Sequence, residues 1–380
     1  MVRYFPLVIS CLTRSRVVKL STLSLVGLTA LVASGCGAPE PQSESAMEPT
    51  SGSMSEPALG FTEYGAHACD PIDDIQFICD MISPEDLAVL PGSEWVIASG
   101  AQEGGRLQLI NAQDKATTVL FPRPDQAERL DATSYPTCPG PLPASEQDTF
   151  RGHGLYLKPG DAATHTLYVV HHGTRESIEV FEVDTAGAEP NLTWVGCAPA
   201  LSTLSLNSVV ALPDGGFATT SGPTGDVWSW QTATGWARIP GSQGTAPNGL
   251  EISNDGRWLY IAGWSQEKLT RISLNETPVQ QEVIDLGFRP DNVRMSLDGS
   301  VIFASGHTDK NGQSITDPRE PLRETTNVAA IDPDTLEFRR IFEHTAIDGF
   351  VAATTAMQIG DEMWLGSYRG DRIAYFPAPE

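Results

Sequence analysis

Asn248-Gly-Leu-Glu-Ile-Ser-Asn-Asp-Gly256, followed by Arg257 and the run Trp258-Leu-Tyr-Ile-Ala-Gly263, is the stretch that decides the fold. It reads as an alternating strand, an Asp-Gly turn and a second strand, which is a β-hairpin signal. The pattern recurs as Glu85-Asp-Leu-Ala-Val-Leu-Pro-Gly92, His153-Gly-Leu-Tyr-Leu-Lys-Pro-Gly160, Asn207-Ser-Val-Val-Ala-Leu-Pro-Asp-Gly215 and Asp291-Asn-Val-Arg-Met-Ser-Leu-Asp-Gly299. A degenerate sixth copy reads Thr355-Ala-Met-Gln-Ile-Gly-Asp361. Successive copies start 68, 54, 41, 43 and 64 residues apart, so each unit holds about one four-stranded sheet with variable insertions. All-strand repeats of roughly 40–50 residues predict a β-propeller, here all-β and six-bladed. The innermost strands of a propeller line its central channel, so residues in one register point at one axis. That register holds Glu85, His153, Asn207, Asn248, Asp291 and Thr355, mostly oxygen ligands.

The N-terminus reads as a targeting segment. Arg3, Arg14, Arg16 and Lys19 precede the apolar run from Leu20 to Val32, which ends in Ala33-Ser34-Gly35-Cys36. The run is short for a spanning helix, which needs about 20 residues. Small residues before Cys36 resemble the bacterial lipoprotein cleavage box, so residues 1–36 are expected to be a signal peptide with Cys36 as the lipidated first residue. Residues 37–60, rich in Pro, Ser and Glu, have little to pack and are expected to be a disordered tether. Residues 61–380 are then one propeller domain on the bacterial envelope, facing the periplasm or exterior, a monomer touching membrane only through its lipid.

Formal net charge is −24 across 380 residues, from 24 Lys+Arg against 48 Asp+Glu. That balance excludes a nucleic-acid or anionic-membrane surface, because nothing basic is left to displace counterions from phosphate. Of six cysteines, Cys11 and Cys36 belong to the leader. Cys69, Cys79, Cys138 and Cys197 remain, and an even number in an exported chain implies two disulfides with three connectivities open. Proximity in sequence favours Cys69–Cys79 and leaves Cys138–Cys197. Ile75-Gln-Phe-Ile-Cys79 is the candidate strand for closing the ring. The insertions from Pro122 to Phe150 and from His307 to Thr326 are expected to supply the walls of a binding site.

The channel register carries the chemistry. Glu85 and Asp291 offer two negative charges, and Asn207, Asn248 and Asn292 offer neutral amide oxygens. A hard divalent cation takes six to eight oxygens, and two carboxylates match the charge of Ca²⁺, though another divalent metal fits the same donors. The absence of cysteine ligands disfavours structural zinc or copper. His153 holds the register in the second copy, and the same blade continues Leu167-Tyr-Val-Val-His171-His172. Alternation lets only one of His171 and His172 face inward. A histidine pair, one ring polarising the other, suits general-base duty on water near neutral pH.

Five motifs together resemble the paraoxonase branch of the calcium-dependent six-bladed propellers, whose relatives include the senescence-marker protein/gluconolactonase family and strictosidine synthase-like proteins. They are Pro84-Glu-Asp-Leu87, His153-Gly-Leu155 with Leu167-Tyr-Val-Val-His-His172, Leu206-Asn207, Pro247-Asn-Gly-Leu-Glu-Ile252 and Pro290-Asp-Asn-Val293, and the resemblance covers about Ser83 to Phe376. It implies a catalytic calcium held by Glu85, Asn207, Asn248, Asp291 and Asn292, and a His153–His172 dyad. It departs at two points. Asp86 matches one member of the acidic pair that holds a second, structural calcium in that family, but Ser208 replaces the other. No cysteine follows Cys197 to form the family's long-range disulfide. The reading is a calcium-dependent hydrolase of lactones or other carboxylic esters, with His153, His172 and Asp291 as catalytic candidates and a small-molecule ester or lactone as partner. The alternatives are a sugar lactonase of gluconolactonase type, a non-enzymatic envelope propeller for binding or scaffolding, and, last, a strictosidine synthase-like cyclase.

Overall fold

Strands buried on both faces need a sheet packed on each side, and the repeats supply it. Phe217–Ser221, for example, is buried along its whole length. The computed structural model describes residues 69–309, 324–347 and 349–379, and in them the chain is an all-β six-bladed β-propeller. The signal peptide, Cys36 and the tether lie outside the described residues. Blade 1 is β2 (Leu87–Val89), β3 (Trp95–Ala98), β4 (Leu107–Asn111) and β5 (Thr117–Phe121), in that order from the axis outward. The other innermost strands are β7 (Arg151–Lys158), β11 (Leu206–Ala211), β15 (Pro247–Ile252), β19 (Arg289–Met295) and β23 (Ala353–Ile359). Each lies against the innermost strands of the blades on either side, and β23 meets β2 to complete the circle.

Closure comes from the start of the chain. β1 (Gln76–Ile78) pairs antiparallel with β25 (Ile373–Pro377) as the outermost strand of blade 6. Met81 and Ser83 continue the seam by donating to the carbonyls of Asp371 and Gly370. The Cys69–Cys79 disulfide brackets β1. Apolar clusters fill the spaces between blades; Leu107, Phe121, Phe150, Phe181 and Trp194 join blades 1 and 2.

Five innermost strands, those of blades 2 to 6, carry a β-bulge near their start, between Gly152 and Leu155, Leu206 and Val209, Pro247 and Leu250, Pro290 and Val293, and Ala353 and Thr355. A bulge puts two residues opposite one and re-aims their side chains. These bulges sit at the repeat's first and second positions, so neighbours such as Asp291 and Asn292 are both turned toward the axis. They also correct the sixth copy: Ala353 is paired as Pro290 is, which makes Thr354, not Thr355, the counterpart of Asp291. Consecutive inner strands run so close that two bulge positions must be glycine. A Cβ on Gly154 would lie 2.5 Å from the Asn207 carbonyl oxygen, and one on Gly249 2.3 Å from that of Asp291.

The Pro122–Phe150 insertion does not form the wall expected of it. β6 (Ala127–Glu128) adds in parallel to β10 (Asn191–Pro199), the outermost repeat strand of blade 2. Tyr135 then stacks on Trp230 of blade 3, and Cys138 bonds to Cys197. The disulfide closes a span of 59 residues, a loop length at which a cross-link typically contributes about 2–4 kcal/mol. The double substitution Cys138→Ser/Cys197→Ser should lower the free energy of unfolding by that amount in a urea titration, and an unchanged midpoint would refute it.

Candidate functional site

Glu85 stands two residues before β2 and is fully buried, with its backbone carbonyl accepting the Thr354 hydroxyl at 2.6 Å. Its Oε1 accepts from Asn292 Nδ2 at 2.5 Å, which turns the Asn292 Oδ1 away from the carboxylate. Four buried side-chain oxygens here have no hydrogen-bond partner: Glu85 Oε2, Asn207 Oδ1, Asn248 Oδ1 and Asn292 Oδ1. They come from blades 1, 3, 4 and 5 and occupy the register positions beside the axis. Buried polar atoms are nearly always paired, and orphaned oxygens of this kind, three from the repeat's first position and Asn292 from its second, are of the type that suits a hard cation. Asp291, buried beside them, adds a second carboxylate whose charge bears on Glu85. The five residues read from the sequence as metal ligands are thus brought together. Among the described residues no group of three or more His, Cys, Asp or Glu side chains is placed to hold a metal ion, so any ion here relies on amide oxygens, a hard-cation set.

Histidine chemistry adjoins the oxygens. His172, at the end of β8 (Thr164–His172), is the one of the adjacent pair that faces the site, while His171 is buried and stacks on Phe150. His172 Nε2 lies 2.9 Å from His153 Nδ1, and His172 Nδ1 lies 2.8 Å from Glu176 Oε2. A carboxylate at Nδ1 fixes the proton there, so His172 Nε2 carries a lone pair and accepts from His153 Nδ1–H. The lone pair of His153 Nε2 then points toward Asn207 Nδ2 at 3.4 Å and Glu85 Oε1 at 3.7 Å. Burial first, and the neighbouring His172 ring second, push the His153 pKa down to about 3, which keeps it neutral at physiological pH. Glu176 also accepts the Leu206 N–H at 2.6 Å, anchoring the relay to the strand that carries Asn207.

Sequence reading missed Glu176, because it lies in the polar turn Gly173-Thr-Arg-Glu176 outside any repeat register. The cleft over the ring has a volume of about 370 Å³ and is lined by His153, His172, Leu206, Pro223, Pro247 and Trp264 among others, with no residue from 122–150. Trp264 is held by the Arg289 guanidinium, 5.0 Å from its ring centre, and edge-on by His307. A larger groove of about 490 Å³ lies along the outside of blade 2, around Arg129, Tyr135 and Glu182, and holds none of these groups.

The sequence matches no family model and no curated protein closely enough to assign a family. Solved structures do align. A luciferin-regenerating enzyme is 11% identical over 81% of this chain and 96% of its own, with a TM-score of 0.50. A gluconolactonase from Xanthomonas campestris is 17% identical over 80% of this chain and 89% of its own, also at 0.50. A streptogramin B lyase is 12% identical over 80% and 97%, at 0.48. The chain therefore shares the propeller fold of the first two, and at these identities the likeness shows the fold alone.

Burial, followed by the charges of Asp86 and Asp291, raises the Glu85 pKa well above its ordinary 4.5. A carboxyl whose folded pKa is raised supports the fold while protonated. That support is complete below the unfolded value and is lost as pH rises through the folded one. Gln mimics the protonated form without titrating. In EDTA, Glu85→Gln should therefore gain thermal stability relative to wild type as pH rises from about 4.5 to 8. Melting temperatures that keep the same spacing at both ends would show that Glu85 is not strained by its ionisation.

Proposed function

We propose that the chain is a metal-dependent hydrolase of carboxylic esters, with lactones as the favoured class and Ca²⁺ as the metal, nearest in its motifs to the paraoxonase branch and displayed on a bacterial envelope through Cys36. The observation that carries this reading is the His153–His172–Glu176 chain of contacts set beside Glu85 and Asn207, among four partnerless buried oxygens. Glu85, Asn207, Asn248, Asp291 and Asn292 would hold the ion. Bound there, Ca²⁺ would supply Lewis-acid stabilisation of the charge that develops on an ester carbonyl oxygen.

The chain's own residues do the rest. His153 Nε2 takes the proton of a water lodged between it and the ring, as a base that is neutral at working pH. As that proton arrives, the one on Nδ1 is drawn toward His172 Nε2, and the Glu176 carboxylate offsets the positive charge at His172 Nδ1. A weak isolated base is thereby made effective through its partner. Asp291 is the alternative base. The cleft presents Leu206, Pro223, Pro247, Trp264 and serines, with no Asp, Glu, Lys or Arg in its lining, which suits an uncharged ester.

Hydrolysis of an aliphatic lactone, a sugar lactone and phenyl acetate tests the reading directly. Turnover should vanish in EDTA and return with Ca²⁺. His153→Ala should lower kcat by about 10²–10⁴ while calorimetry still detects the metal. Glu176→Gln should lower it by about 10–100. Failure of the protein to turn over any ester while holding calcium would move the site to a structural role and favour a binding or scaffolding propeller. Sugar-lactone turnover that survives His153→Ala would favour a gluconolactonase-type activity.

A further inference from the structure

We propose that the axis of the propeller holds a second cation site, next to the candidate metal ring, and that the chain fills it with its own Arg294 guanidinium, leaving room for one divalent ion fewer than the channel's oxygens would otherwise take.

Arg294 is the fourth residue of the fifth repeat and is buried, as are Asp86, Ser208 and Glu251 around it. Its Nε donates to Asp86 Oδ1 at 3.1 Å and its Nη2 donates to Asp86 Oδ2. Nη1 donates to the carbonyls of Leu250 at 3.1 Å and Val293 at 2.8 Å, and Nη2 to that of Leu155 at 3.2 Å. A guanidinium has five N–H donors, and these five contacts use them all. The acceptors are a bidentate carboxylate and three backbone carbonyls from blades 1, 2, 4 and 5. Leu155 and Leu250 hold the same position in their repeats, so equivalent carbonyls converge on one point. Carboxylate and carbonyl oxygens in this number are what a hard divalent cation collects.

The surroundings complete the case. The Asp86 carboxylate also accepts from the backbone N–H groups of Leu87 at 2.9 Å and Leu155 at 2.7 Å, which fixes it in place whatever cation it faces. Ser208, on blade 3, which contributes no acceptor to Arg294, takes the Leu250 N–H at 3.1 Å. Glu251 accepts from Ile252 and Met295 and adds a negative charge near Arg294. The second calcium of the resembling family needs an acidic pair, of which this chain keeps only Asp86, with Ser208 in the other place, and the remaining donors do not fit an ion: the guanidinium already occupies them. An organic cation fixed by covalent bonds cannot be chelated away, so this half of the axis stays assembled when metal is scarce.

The test counts ions on the full-length protein, by equilibrium dialysis against calcium, with thermal melts in EDTA and in excess calcium. Arg294→Ser should bind one more ion per chain than wild type. It should melt lower than wild type in EDTA and gain more from calcium. Adding Asp86→Asn to Arg294→Ser should remove the extra ion. Arg294→Lys, which keeps a cation at the same place, should fold in EDTA and bind as many ions as wild type. Equal ion counts for wild type and Arg294→Ser, an extra ion in Arg294→Lys, or an Arg294→Ser chain that stays unfolded in excess calcium would overturn the proposal. Because the readout is a difference of one ion, it holds whether or not the Glu85 ring takes calcium or hydrolyses anything.

Discussion

Two adjacent carboxylates, Glu85 and Asp86, are buried at the axis of this propeller, and the arrangement of the channel follows from how their charges are met. A buried charge without a partner costs several kcal/mol. Asp86 is met by the chain itself, through Arg294 and two backbone N–H groups. Glu85 accepts only one amide N–H, from Asn292, and its second oxygen has no hydrogen-bond partner. One carboxylate is therefore internally neutralised, and its neighbour demands a proton or a cation from outside. Stability and function divide between two consecutive residues.

The β-bulge makes that division geometrically available. In a regular strand Asp291 and Asn292 would point to opposite faces, and one of them would be lost to a blade interface. The bulge between Pro290 and Val293 turns both toward the axis. Repetition of the bulge in blades 2 to 6 sets ligand and spacer positions around the ring. Gly154 and Gly249 show how tightly the strands approach there, since a methyl group at either would collide with the next strand's backbone. Six inner strands press on one another around the axis, which is the condition for holding side chains at fixed separations.

Much of this was legible because the repeat is in register with the function. Glu85, Asn207, Asn248 and Asp291 stand at one position of a recurring hairpin, so naming the hairpin named the ring. The same logic failed at the sixth copy. Thr354 and Thr355 are both threonine, and only the pairing of Ala353 with Ser367 reveals which one holds the register. Arg294 and Glu251 were readable in principle: they share the fourth position in adjacent copies, where other copies carry Ala88, Tyr156, Val210 and Met357, and opposite charges in one register on neighbouring blades must meet near the axis. Glu176 was not readable, because its role depends on a turn returning it to His172 and no periodicity marks it. The Pro122–Phe150 insertion misled for a related reason. Its length suggested a cover for the cleft, while its Tyr135 and Cys138 tie it to the outside of blades 2 and 3.

The relay and the axial arginine solve the same electrostatic problem in opposite senses. Arg294 is a permanent charge in a site where charge is always required, and its five donors leave no acceptor for anything else. His153 is an imidazole that burial keeps neutral. Exchanging their positions would leave neither working. A titratable cation beside Asp86 would surrender the axis as pH rose, and a permanent cation at position 153 would fix a positive charge next to Glu85. Along the repeat, the neutral imidazole stands at the first position and the Asp86–Arg294 ion pair occupies the second and fourth, so the fixed charge is confined to positions where an opposite charge answers it.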